Sequence, residues 1–81
     1  MEKKYVIKIG QPNRGWIFLA EKNIEGKWEM IDETTNDVYD MEGYHHYKEI
    51  TEAEYKEVLD LLIEDPSSIE VEESIKKLLE Q

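Results

Sequence analysis

The spacing of apolar side chains changes period once along this chain of 81 residues. Before Thr51 the apolar residues come in short alternating or continuous runs parted by turn-forming residues, which is the pattern of strands. From Thr51 onward they recur at intervals of three and four, the pattern of helices that bury one side. Tyr5, Ile7 and Ile9 alternate with Lys4, Val6 and Lys8 as in a half-buried strand, and the turn residues from Gly10 to Gly15 predict a hairpin after it. Trp16-Ile17-Phe18-Leu19-Ala20 is apolar on both faces, as suits a central strand. A turn over Asn23 to Gly26 leads to a third strand over Lys27 to Ile31, and a turn over Glu33 to Asp37 leads to a short fourth strand over Val38 to Met41. Residues Tyr44 to Ile50 read equally as strand or loop.

Thr51-Glu52-Ala53-Glu54 fits a capping box, in which the threonine hydroxyl accepts from a free backbone N–H and the glutamate reaches back, so a helix starts here. Tyr55, Val58, Leu59, Leu62 and Ile63 then share one helical side, and Asp65-Pro66 ends the helix. Ser67-Ser68-Ile69-Glu70 offers a second start, with Val71, Ile75, Leu78 and Leu79 as its apolar stripe; alternatively Ile69 to Val71 are extended and the helix begins nearer Glu72. The expected fold is α+β: a single domain over residues 1–81, with an antiparallel β-meander of three to four strands (residues 3–50) packed by one or two C-terminal helices (about 51–64 and 68–80). A chain of this length has room for one core and buries only about 60% of its unfolded surface.

Composition narrows the chemistry. The chain is 40% hydrophobic and 37% charged, with a formal charge of −10 and a pI near 4.5. Such a molecule repels nucleic acid and anionic membranes, so neither is an expected direct partner. Eight aromatic residues and a good supply of Ile, Leu and Val separate it from a disordered acidic tail. The absence of cysteine excludes disulfides, iron–sulfur sites and thiolate zinc sites. Met1-Glu2-Lys3-Lys4 and the alternation after it lack the apolar run of a signal peptide, and no stretch of about 18 apolar residues is present, so the expected location is the cytoplasm.

The charge is unevenly spread. Residues 1–40 carry eight acids and six bases, whereas residues 41–81 carry twelve acids and four bases. Between Glu49 and Glu73 ten acids meet one base, Lys56. Glu57, Asp60 and Glu64, spaced by three and four, stand on the side of the first helix opposite its apolar stripe, with about 10 Å of rise from first to last at roughly 1.5 Å per residue. A rigid row of carboxylates at this pitch is able to stand in for phosphates along a nucleic-acid strand, and the plain alternative is an ordinary solvated helix side. Neighbouring like charges cost a helix about 0.2–0.5 kcal/mol per pair, and Glu64 with Asp65 sits at the C-terminus, where the macrodipole disfavours anions. Stability alone would not select this arrangement, which points to a functional surface. In the second helix the order is favourable, with Glu70, Glu72 and Glu73 near the start and Lys76 and Lys77 near the end.

A second candidate is the run from Tyr39 to Tyr47, which includes Asp40, Glu42 and Tyr44. Tyrosines beside carboxylates supply stiff contact area together with partners for Arg or Lys, although the same tyrosines can simply cover the edge of the core. His45 and His46 are adjacent, so in a strand they point to opposite faces and do not share a metal ion, and Asp37, Asp40 and Glu42 lack a ligand spacing. No metal or cofactor is expected. No Ser or Cys nucleophile is placed by a recognisable elbow, Gly10 to Gly15 lacks the ending of a phosphate loop, and Trp16 and Trp28 read as core residues instead of a base-stacking platform.

In size and composition the chain is similar to the small acidic proteins that bacteriophages use against host nucleases, including restriction and CRISPR effectors, some of which mimic DNA. The likeness is one of overall character and assigns a role to no residue. The expected function is that of a non-enzymatic inhibitor or decoy occupying the basic groove of a nucleic-acid-binding protein, with Glu57, Asp60, Glu64, Asp65, Tyr39, Asp40, Glu42, Tyr44 and Tyr47 as candidate contact residues. The alternative is an immunity-type or regulatory module that binds a basic protein without mimicking nucleic acid.

Overall fold

A computed structural model describes residues 2–10, 14–42 and 46–81. The fold is α+β: five antiparallel strands, β1 (Lys3–Gly10), β2 (Arg14–Lys22), β3 (Trp28–Asp32), β4 (Asp37–Asp40) and β5 (Tyr47–Ile50), followed by α1 (Glu52–Glu64) and α2 (Ile69–Glu80). The sheet order is β4-β3-β2-β1-β5, so the first four strands form the expected meander. The strand count exceeds expectation by one, because Tyr47–Ile50 is extended and returns to pair with β1 through Tyr5↔Ile50 and Lys8↔Tyr47. β4 and β5, successive in the chain, are therefore the two edges of the sheet.

The turns follow from their residues. Asn23 accepts the N–H groups of Glu25 and Lys27 on its Oδ1 at 2.9 and 3.0 Å, and Gly26 takes the left-handed conformation that closes the β2–β3 hairpin, with φ of 79°. At the next hairpin Asn36 occupies the same region, φ 65°, while Asp32 accepts the N–H and hydroxyl of Thr34. The interior of the expected turn between Gly10 and Gly15 lies outside the described residues.

Residues paired across strands share a face. Tyr5, Ile7, Ile17, Leu19 and Ile50 thus lie on the side covered by the helices, where Ile7 and Ile17 pack with Tyr55, Val58, Leu62, Val71, Ile75 and Leu78. Val6, Phe18, Ala20 and Met30 lie on the far side and join Met41 in a second buried cluster, edged by Trp16, Trp28 and Tyr47. Val6 and Ile7 are both fully buried, so β1 is a central strand and not the half-buried one its alternation predicts. The two tryptophans are half-buried at the margin of this far cluster; Trp16 donates its Nε1 hydrogen to Asp32 Oδ2 at 3.0 Å.

Both helices start where the sequence places them. Thr51 and Glu54 make the reciprocal capping box, Glu54 N–H donating to Thr51 Oγ1 at 3.1 Å and Thr51 N–H to Glu54 Oε1 at 2.9 Å. Ser68 caps α2 by accepting the Glu70 N–H, so Ile69 to Val71 are helical and the extended alternative is set aside. The stripe on α1 is narrower than expected. Tyr55, Val58 and Leu62 are buried, but Ile63, a further 100° around the helix from Leu62, is exposed, and Leu61 takes its place as a packing residue. At the far end of α2, Lys48 on β5 donates to the carbonyls of Leu78 and Gln81 at 2.6 and 2.5 Å, tying the free C-terminal acceptors to the sheet.

Candidate functional site

The linker between the helices is short and closed by its own hydrogen bonds. Asp65 donates its N–H to the Leu61 carbonyl at 2.9 Å, and its Oδ1 accepts the N–H and hydroxyl of Ser67 at 3.1 and 2.9 Å. This connection folds α2 back beside α1. Between them runs a groove of about 520 Å³, lined by Glu57, Asp60 and Leu61 from α1 and by Glu70, Glu73, Ser74 and Lys77 from α2. Four carboxylates thus face one ammonium group. Among the described residues none of the four has an ion-pair partner within 4.0 Å; the one ion pair within the helices is Lys56–Glu52, 3.4 Å, in the first turns of α1. No histidine lines the groove, and among the described residues no group of three His, Cys, Asp or Glu is placed to hold a metal ion. What such a groove offers chemically is a set of anionic acceptors beside the apolar side chain of Leu61.

The expected contact residues are distributed in three ways. Glu57 and Asp60 meet in the groove, and Glu64 follows one turn on, exposed but outside its lining. Asp65 is exposed, yet its carboxylate is committed to the Ser67 turn. Tyr39 and Asp40 are exposed on β4, and Tyr39 meets Phe18 edge to face at 5.8 Å, while Asp40 Oδ1 accepts the Glu42 N–H at 2.8 Å and Glu42 pairs with Lys27 at 3.5 Å. Tyr47 stands on β5, at the opposite edge of the sheet. Tyr44 and His45 lie outside the described residues. The run from Tyr39 to Tyr47, contiguous in sequence, is divided between the two edges.

Sequence reasoning missed Glu70 and Glu73 as site residues, because near the start of α2 their charge already satisfies the helix dipole. The signal was present in the spacing of Glu70, Glu73 and Lys77, which lie on one side of α2, combined with a linker short enough to keep the two helices in contact. The interactions that fix the helical layer on the sheet lie elsewhere. Tyr55, buried and donating its hydroxyl to Glu33 Oε1 at 2.6 Å, has its pKa driven up first by burial and then by that carboxylate. Tyr5 donates to Glu52 Oε2 at 2.8 Å, which raises the tyrosine and lowers the glutamate. On the far face burial opposes the charge of Lys4, but the Tyr47 hydroxyl and Glu49 more than offset it, and the ammonium rests 4.6 Å from the centre of the Trp28 ring.

The chain matches no protein-family model, no curated protein and no solved structure to which it was compared. No helix among the described residues is long and apolar enough to cross a membrane.

Proposed function

We propose that this chain is a non-enzymatic protein-binding domain whose α1/α2 groove docks on the basic surface of a nucleic-acid-binding protein, acting as an inhibitor or decoy in place of nucleic acid. The observation that carries this reading is the groove itself, where Glu57, Asp60, Glu70 and Glu73 converge without an ion-pair partner among the described residues. Residues three apart lie on one side of a helix, so each wall of the groove presents two carboxylates about one turn apart. Arg or Lys side chains reaching into them would form charge-assisted hydrogen bonds and lay their aliphatic stems on Leu61. The summed field of a strongly acidic chain also speeds encounter with a basic partner.

Leu61 and Lys77 in the same lining favour a second reading, since nucleic-acid backbones carry neither feature. Under it the groove is tailored to one basic protein, as in an immunity-type or regulatory module. Capture of partners from a bacterial lysate at low salt separates the two. The decoy reading expects nucleic-acid-binding proteins that added DNA releases. Retention of partners that DNA does not displace would favour the tailored module, and retention only of neutral or acidic proteins would overturn both.

A further inference from the structure

The free edge of β4 combines three features that nothing in the helical groove explains. First, its outward backbone groups are open. Met41 donates its N–H to the Trp28 carbonyl at 3.2 Å, which makes Met41↔Trp28 a hydrogen-bonded pair of the antiparallel ladder. Alternation along the β3–β4 register then makes Tyr39↔Met30 and Asp37↔Asp32 hydrogen-bonded pairs as well, and turns the N–H and C=O of Val38 and Asp40 away from the sheet. Second, all four residues of β4 are exposed, including Val38 at 54% and Tyr39 at 48%. The opposite edge differs: on β5 Tyr47, Lys48 and Ile50 are half-buried, with Lys48 anchored to α2. Third, both charged pairs of the β3–β4 ladder are acid against acid, Glu29↔Asp40 on the helix-covered face and Asp32↔Asp37 on the far face. Like charges directly opposite destabilise a sheet, and no cation lies within ion-pair distance of Glu29, Asp37 or Asp40 among the described residues.

We infer that the β4 edge is a second docking surface, which accepts an extended segment of a partner protein as a sixth strand, with cations at its two ends and apolar side chains between. The pattern follows from the pleat. A residue facing Asp37 lies on the far face and one facing Asp40 on the helix-covered face, so each stands beside an acid of β4 that has a second acid behind it on β3. The two residues between them face Val38 and Tyr39. The order cation-apolar-apolar-cation is the same read in either direction, so an added strand satisfies it parallel or antiparallel. Charge selects this occupant over a second copy of the chain, which would bring its own Asp37 and Asp40 within one strand spacing of these acids, on two molecules that each carry −10.

The test is an NMR titration of the isotopically labelled full chain with the peptide acetyl-Thr-Lys-Val-Tyr-Lys-Thr-amide. The expected result is shift changes centred on the amides of Val38 and Asp40, absent when both lysines of the peptide are replaced by glutamate. Val38→Pro removes an outward donor while sparing every β3–β4 hydrogen bond, as proline is tolerated on an edge with its nitrogen facing solvent, and is expected to weaken binding at least tenfold. Should that variant fail to fold, Asp37→Asn with Asp40→Asn keeps a hydrogen-bonding oxygen on each side chain and is expected to give a similar loss. Shifts confined to Glu57, Asp60, Glu70 and Glu73 would overturn the edge proposal while leaving the helical surface standing. Concentration-dependent shifts at Val38 and Asp40 without peptide would assign the edge to a second copy and overturn it too, as would no shift at any site.

Discussion

The sheet and the helices keep their charges differently. Three of the four ion pairs among the described residues, Lys4–Glu49, Lys22–Glu2 and Lys27–Glu42, join residues of the strands and their connections. The helices have only Lys56–Glu52, and among the described residues none of the carboxylates from Glu57 to Glu73 forms an ion pair within 4.0 Å. The sheet's lysines also lie over aromatic rings, Lys4 and Lys22 flanking Trp28 at 4.6 and 5.6 Å. The difference teaches that a net charge of −10 is not a uniform solubility coat. Charges on the sheet are largely paired locally, whereas carboxylates stay open on the α1/α2 groove and along the outer edge of β3 and β4.

On this account the helical layer is held by its apolar side and its caps, with no contribution from the carboxylates of the groove. Leu62→Ala, which opens a cavity in the core between helices and sheet, should therefore have the largest effect, a loss of about 2–5 kcal/mol in urea denaturation. A loss below that range would mean that the layer is fixed by something other than packing. Alkaline titration probes the tyrosines that join the two layers. Tyr55 and Tyr5 are both held above the ordinary value of 10.0, so the folded chain keeps protons that the unfolded chain releases. Their stabilisation is complete below pH 10 and declines as pH rises past it, and a melting temperature that stays flat from pH 9 to 11 would contradict this. Tyr55→Phe should flatten the decline.

Smaller effects follow at the helix ends and in the groove. Thr51→Ala removes one half of the capping box and should cost about 0.5–2 kcal/mol, whereas the same measurement on Lys48→Met, which frees the last carbonyls of α2, should show about 0.3–1 kcal/mol. The groove carries the opposite sign. Glu57→Gln with Asp60→Asn should raise stability by about 0.2–0.5 kcal/mol for each like-charge pair removed, while Glu49→Gln on the sheet should lower it by up to about 1 kcal/mol. Equal signs for the two substitutions would erase the contrast between the layers.

Much of the fold was legible in the chain. The switch of period at Thr51, the capping box and the apolar run from Trp16 to Ala20 each rest on local rules, and the structure has helix, cap and central strand at those places. What was not legible depends on pairing across long sequence separations. Tyr47–Ile50 becomes a strand only because the outer edge of β1 is free to receive it, and Val6 is buried only because Phe18, Met30 and Met41 assemble beside it. The candidate site was legible by half for the same reason. Glu57 and Asp60 announce themselves by violating a helix rule, whereas Glu70 and Glu73 obey one and join the groove only through the hairpin. Tyr39 and Tyr47, close along the chain, stand on opposite edges of the sheet, a separation set by strand order and not by sequence spacing.

The central claim, that the open carboxylates of the groove bind a basic partner, is tested most directly by comparing low-salt capture from a bacterial lysate on the native chain and on a variant carrying Glu57→Gln, Asp60→Asn, Glu70→Gln and Glu73→Gln. The native chain should retain nucleic-acid-binding proteins that added DNA or raised salt releases, and the folded variant should retain almost none of them. Equal retention of the same proteins by both chains would contradict the account.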